Sequence, residues 1–367
     1  MAPNPFKPSA GSSPPELIGR QPLLDGIREA IADGPGAPGR LSIFTGARGV
    51  GKTVMLNEVE GVFDQEGWRR VSLTAAPGFL LELRGRVSRL HEQEQPPPRA
   101  RITGVSGPAG WSVDLERPRV PEPELREELE QVLDLLAQRG SGLLVTIDEI
   151  HAARPSELRT LAVVSQHLIR EDRQFALAMA GLGAAVSDLL NDEVLTFMRR
   201  ADRHELGSLD IDDVDDALAT TFADNGRSID EAACRVAAEA TRGYPFLVQL
   251  VGHQVWRSTR AEHLTMTSVE RGVAAAVQRL RTLVHEAALN DLSDQDRAFV
   301  AAMAQDSATS RVADIAARIQ RSPQYVNTYR SRLIDAGVIE APARGRVRFA
   351  IPYLADTVRD MVDEGVL

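Results

Sequence analysis

The sequence predicts an α/β protein, in which a parallel-sheet core is followed by an all-helical segment and a C-terminal winged helix. Three observations carry that expectation. Apolar strand-like runs at Leu41–Thr45, Leu143–Ile147 and Phe175–Ala180 alternate with helical stripes, which gives a parallel sheet covered by helices on both faces. Beyond Leu209 the strand signals stop and only helical periodicity continues, as far as Asn290. After Ser293, three helical stripes precede two apolar runs flanking Ala343-Arg344-Gly345-Arg346, the pattern of a β-hairpin. The expected divisions are 1–15 (a flexible tail), 16–208 (the sheet domain), 209–290 (the helical segment) and 291–367 (the winged helix).

With 367 residues the chain can hold two or three domains. Its 43% hydrophobic and 26% charged content is that of a folded chain and excludes a disordered one. Cys234 is the sole cysteine, so no disulfide framework exists, and on its helix among alanines it reads as core. The uncharged stretch Phe175 to Ser187 is too short to span a bilayer at about 20 apolar residues. Met1 to Pro15 is Pro/Ser-rich without the apolar centre of a signal peptide. These features predict a cytoplasmic protein without membrane contact. A net charge of −10 argues against general coating of nucleic acid.

In chain order, Leu23, Leu24, Ile27 and Ile31 mark a first helix, ended by the Gly/Pro-rich piece Gly34 to Gly39. The strand Leu41–Thr45 then runs into Gly46-Ala47-Arg48-Gly49-Val50-Gly51-Lys52-Thr53, which fills every fixed position of G-x-x-x-x-G-K-[ST]. Such a loop binds phosphate: glycines let the backbone N–H groups wrap close, lysine neutralises charge, and threonine holds magnesium. The positive end of the following helix adds to the attraction. Lys7 and Lys52 are the only lysines, and arginine supplies every other long cation of the 42. A planar arginine fork cannot replace the compact ammonium this loop requires. A second strand is expected at Val71–Leu73, whereas Gly78 to Pro123 shows only a weak pattern and reads as an insertion.

Leu125, Leu129, Val132, Leu133 and Leu136 form a helical stripe ended by Gly140, and the near-continuous apolar strand Leu143–Ile147 ends in Asp148-Glu149. Carboxylates at that end of a parallel strand lie where ligands bind. Asp148 is suited to magnesium and Glu149 to orienting and deprotonating an attacking water. His151, alone after this pair, gives no metal site and reads as structural. Arg199 and Arg200 precede a strand-like piece at Arg203–Leu206, and Gly243-Tyr244-Pro245 stops one helix and starts the next.

Together these residues resemble the AAA+ and STAND branches of the P-loop ATPases, in particular origin-recognition-like ATPases and bacterial relatives with a C-terminal winged helix. The resemblance implies an ASCE/AAA+-like P-loop NTPase core, a helical lid, bound ATP and Mg²⁺, and hydrolysis of ATP to ADP and phosphate. It implies that Arg20 lies near the adenine, that Arg199 or Arg200 is a finger acting on a neighbouring subunit's ATP in a nucleotide-dependent homo-oligomer, and that Pro245 touches the nucleotide from the lid. One departure stands out. Gly181-Leu182-Gly183 follows the third strand where many relatives carry a polar residue facing the γ-phosphate, which implies slow hydrolysis.

Residues 293–351 carry nine arginines against six acids, a basic module on an acidic chain. Two functions fit. In a nucleotide-gated DNA-binding ATPase, Gln324, Asn327, Arg330 and Arg332 would face the major groove of double-stranded DNA and Arg344, Arg346 and Arg348 would reach phosphates. In a STAND-like switch the same winged helix would dock a protein partner.

Overall fold

The phosphate loop is positioned by a five-stranded sheet whose order explains why distant sequence segments meet. In this computed structural model, which describes residues 3–9, 11–95, 124–183, 186–187 and 198–366, the strands are β1 (Leu41–Thr45), β2 (Arg69–Thr74), β3 (Leu143–Asp148), β4 (Phe175–Gly181) and β5 (Asp202–Glu205). They are ordered β2-β3-β4-β1-β5, and every pairing is parallel. With β4 between β1 and β3, the loop after β1 and the acids after β3 emerge at the same edge, about 10 Å apart at ordinary strand spacing.

β4 is buried throughout and β3 at all but Asp148, as a sheet covered on both faces requires. Alternate side chains serve opposite cores. Phe44, Leu144 and Ala178 pack with Leu24 and Ile27 of α1 (Gln21–Asp33) and Met55, Val59 and Phe63 of α2 (Lys52–Gln65). Ile43, Val145 and Leu177 pack beneath α3 (Phe79–Glu94), α4 (Leu125–Ala137) and α5 (Pro155–Arg170). Each large aliphatic or phenyl group so buried contributes about 1.5–3 kcal/mol. A buried acid, Glu60 on α2, is tolerated because Ser72 and Thr146 donate to it and Arg70 pairs with it at 2.8 Å.

The structure corrects four expectations. The weak region after Gly78 contains α3, whose buried Phe79, Leu83 and Val87 recur every four residues among charged neighbours, a stripe too narrow to stand out. The remainder of that insertion, 96–123, lies outside the described residues. The helical segment, α6 (Ile211–Asp224), α7 (Glu231–Ala240), α8 (Pro245–Ser258) and α9 (Met266–Leu280), also holds a two-residue parallel bridge of β6 (Ser228–Ile229) with β7 (His263–Leu264). The N-terminal segment is not a loose tail: Phe6 is 3% exposed, its ring 5.1 Å from Phe222 and seated directly on Gly252.

The C-terminal module comprises α10 (Asp294–Met303), α11 (Val312–Arg318), α12 (Pro323–Asp335) and the hairpin β9 (Ile339–Ala343) and β10 (Arg346–Phe349), followed by α13 (Leu354–Asp363). The fourth correction is here: a short strand β8 (Ser310–Arg311) pairs with β10 and gives a three-stranded antiparallel wing, β8-β10-β9. Ser293 caps α10 in a reciprocal box with Asp296.

The module is docked on the rest of the chain. Gly337, just after α12, lies against Arg48 of the phosphate loop, so that a Cβ there would be 3.4 Å from its Cγ. The Tyr353 hydroxyl donates to the Ala240 carbonyl at 2.9 Å, and the Arg242 guanidinium lies 3.8 Å from the Tyr353 ring centroid. Among the described residues no helix is long and apolar enough to cross a membrane.

Candidate nucleotide-binding site

The cleft is built from the loop outward. Lys52, 6% exposed, donates from Nζ to the Gly46 and Ala47 carbonyls at 3.1 and 2.8 Å. Burial is the main influence on its ammonium and pushes its pKa down, against the opposing pull of Glu149 and Asp148. Thr53 Oγ1 donates to Asp148 Oδ2 at 2.5 Å, which joins the start of α2 to the end of β3. The other Asp148 oxygen accepts from the Glu149 N–H at 2.8 Å. Glu149 itself is in the left-handed region, φ 54°, a strained conformation that turns its side chain out of the strand line.

Glu149 Oε2 is 3.1 Å from His151 Nε2, and His151 Nδ1 lies 3.5 Å from the Leu182 N–H. Burial lowers the His151 pKa against the opposing pull of Glu149. A Cβ at Gly181 would be 3.6 Å from Nδ1. His151 therefore occupies the space beside the β4 terminus where the sequence showed no polar side chain. Only the histidine's nearness to the acidic pair could have indicated this.

The lid closes on the loop through two hydrogen bonds. The buried Tyr244 hydroxyl donates to the Arg48 carbonyl at 2.8 Å, and the Phe246 N–H donates to the Gly49 carbonyl at 3.3 Å. Gly49 is left-handed, φ 75°, and a Cβ there would overlap the Tyr244 hydroxyl. Gly243, φ 68°, is held against Leu209, whose N–H donates to the Gly243 carbonyl at 2.7 Å.

Between loop, lid and N-terminal segment lies a cavity of about 520 Å³, within the usual range for a small-molecule site. Arg48 to Thr53, Glu149, Arg20 and Pro245 all line it. Gly46 and Ala47 stand behind, holding Lys52. Arg20 Nη2 donates to the Gly207 carbonyl at 2.6 Å, and burial lowers its pKa. Arg199 and Arg200 lie on the turn before β5 and do not line this cavity.

Residues 16–177 match the family described as AAA ATPase domain. This region is an AAA+ ATPase domain. Residues 282–358 match a domain of unknown function (DUF8462). Among solved structures, the chain is similar to the Walker-type ATPase PABY2304 of Pyrococcus abyssi, with TM-score 0.68 and 14% identity over 94% of this chain and 96% of that one. It is similar to the ORC2 protein of Aeropyrum pernix in its ADPNP–ADP complexes, with TM-score 0.64 and 15% identity over 98% and 96%. It is also similar to Cdc6p of Pyrobaculum aerophilum, with TM-score 0.51 and 16% identity over 98% of each chain. No curated protein sequence matches.

Beyond the AAA+ domain, the structure separates the expected nucleic-acid residues into two groups. Gln324, Asn327, Arg332, Arg344, Arg346 and Arg348 are exposed. Three of these arginines also have partners within the module. Arg332 pairs with the buried Asp296 at 3.0 Å, Arg348 pairs with Glu340, and Arg346 donates to Thr309 Oγ1 at 2.9 Å. Arg330 is half-buried with its Nε enclosed. The sequence shows charge but not which charges the fold has already matched.

Proposed function

We propose that the chain binds Mg·ATP in this cleft, hydrolyses it slowly, and uses occupancy of the cleft to set how the winged helix engages DNA. One observation carries the reading: the phosphate loop touches all three parts of the molecule. Lys52 and Thr53 face the β3 acids, Tyr244 and Phe246 bind loop carbonyls from the lid, and Gly337 of the winged helix rests on Arg48. A ligand that displaces loop atoms therefore acts on all three.

The residues present fit the two ligands. Lys52 is nearly enclosed and held only by carbonyls, an ammonium ready to exchange them for phosphate oxygens. Among the described residues no cluster of three or more His, Cys, Asp or Glu could hold a metal alone. Magnesium would thus be held by Thr53 and Asp148 together with phosphate oxygens, and it would supply neutralisation of developing charge. Glu149 orients the attacking water and accepts its proton, and His151 holds the Glu149 carboxylate in place. Slow turnover follows from the β4 terminus, where Gly181 and Leu182 carry no side-chain donor and the nearby His151 is engaged with Glu149. Arg199 or Arg200 would complete a neighbouring subunit's site in a nucleotide-dependent oligomer. The chain's single cysteine suits the reducing cytoplasm.

A second reading, a switch whose winged helix docks a protein partner, is favoured by the intramolecular pairing of Arg332 and Arg348. Two measurements test these readings. Lys52→Ala loses ATP binding, whereas Glu149→Gln keeps binding and loses hydrolysis; unchanged turnover in Glu149→Gln would remove Glu149 as the base. Duplex-DNA affinity should fall with log salt at a slope of about −0.9 per neutralised phosphate. Flat, weak binding would leave the protein-partner reading.

A further inference from the structure

The N-terminal segment forms a strap over the cleft, fixed at both ends. On the lid side Asn4 Nδ2 donates to the His253 carbonyl at 3.2 Å, Phe6 sits on Gly252, and the Lys7 N–H donates to Gln249 Oε1 at 3.1 Å. On the sheet side Asn57 Nδ2, one turn into α2, donates to the Gly11 carbonyl at 3.0 Å. Lys7, Ser9, Gly11, Ser12 and Pro14 form part of the cavity wall.

Both lysines of the chain line this one cavity. Everywhere else the long cations are arginine, and arginine supplies the cation in the ion pairs named above. The Lys7 backbone is committed to Gln249 while its ammonium has no hydrogen bond or ion pair among the described residues. The residues lining the cavity include the cations Lys7, Arg20, Arg48 and Lys52 against Glu16 and Glu149, a positive excess suited to a polyanion. A lysine supplies a compact charge with three rotatable donors, able to follow a phosphate or ribose oxygen without the fixed geometry of a guanidinium.

We propose that Lys7 is a nucleotide-contacting residue, a second ammonium brought to the cleft by the strap, with Phe6 as the positioning residue that holds it there. The proposal rests on the nucleotide reading of the cleft, and its test separates the two. Full-length protein is first titrated with a fluorescent ATP analogue and Mg²⁺, which tests the reading alone. The two lysines are then acetylated in the presence and absence of Mg·ATPγS, and each site is quantified by mass spectrometry. The expected result is at least about fivefold slower acetylation of Lys7 with nucleotide. Lys7→Ala should weaken binding of the analogue by about tenfold, the size of one charge-assisted hydrogen bond. Phe6→Ala should abolish the protection of Lys7. If the analogue binds but Lys7 acetylates at the same rate, Lys7 is not a contact and the nucleotide reading stands. If Lys7 is protected but Lys7→Ala binds normally at an unchanged melting temperature, the strap covers the nucleotide without contacting it, and the proposal fails. If the analogue does not bind at all, both fail.

Discussion

The contact between Tyr244 and the phosphate loop predicts a specific non-additivity. In Gly49→Ala the new methyl must displace the Tyr244 hydroxyl from the Arg48 carbonyl, and the residue must stay at φ 75°. The left-handed backbone costs about 1–2 kcal/mol for alanine. Overpacking against a buried ring costs about 1–3 kcal/mol, and the lost hydrogen bond about 0.5–1.5 kcal/mol. The expected destabilisation is therefore about 2.5–6.5 kcal/mol, and only the first part is independent of the tyrosine. Tyr244→Ala removes the ring, so adding Gly49→Ala to it should incur little beyond the backbone strain. The double variant should be more stable than the sum of the singles by at least about 1.5 kcal/mol, measured by urea unfolding without nucleotide. Additivity within about 0.5 kcal/mol would mean that lid and loop do not touch in solution, and the three-way coupling through the loop would lose its basis.

Two further outcomes follow from buried charge in the C-terminal half. His285, in the π-helical turn after α9, accepts from Thr357 at 2.7 Å and donates to the Pro352 carbonyl at 2.9 Å, and burial pushes its pKa down to about 4, near Arg281 and Asp356. Its folded value lies below the unfolded one near 6.5, so protons favour the unfolded chain; its contribution is complete above pH 6.5 and is lost as pH falls toward 4. Urea unfolding should show a loss of about 2 kcal/mol between pH 7 and 5 that His285→Asn removes, and an unchanged pH dependence in that variant would place the titration elsewhere. Arg332→Ala strips the cation from the buried Asp296 carboxylate, whose Oδ2 is left with Ser293 alone and whose Oδ1 has no hydrogen bond, and should destabilise by about 1–3 kcal/mol in urea. An unchanged midpoint would mean that the Arg332–Asp296 pair contributes nothing to stability.

The phosphate loop and the Asp148-Glu149 pair were legible because their chemistry is local: a strand, a fixed spacing, and residue types with few substitutes. The parallel sheet followed from the same alternation of strands and helices, but its strand order did not. What the sequence concealed depends on partners far away in the chain. Phe6 reads as one aromatic in a Pro/Ser-rich tail until the bare backbone of Gly252, on α8, provides its seat. His151 reads as a lone histidine until β4 brings Leu182 beside it. The arginines of the winged helix read as a basic surface until Asp296 and Glu340 are seen to neutralise two of them.

Residues 240–244 carry a mechanical consequence. This short piece is fastened near its middle, where Gly243 is locked to Leu209; Ala240 and Arg242 hold Tyr353 on one side, and Tyr244 holds the phosphate loop on the other. Five residues thus carry the contacts of the phosphate loop, the start of the lid and the C-terminal module together, and a change that loosens one of these anchors acts on the piece that holds the other two.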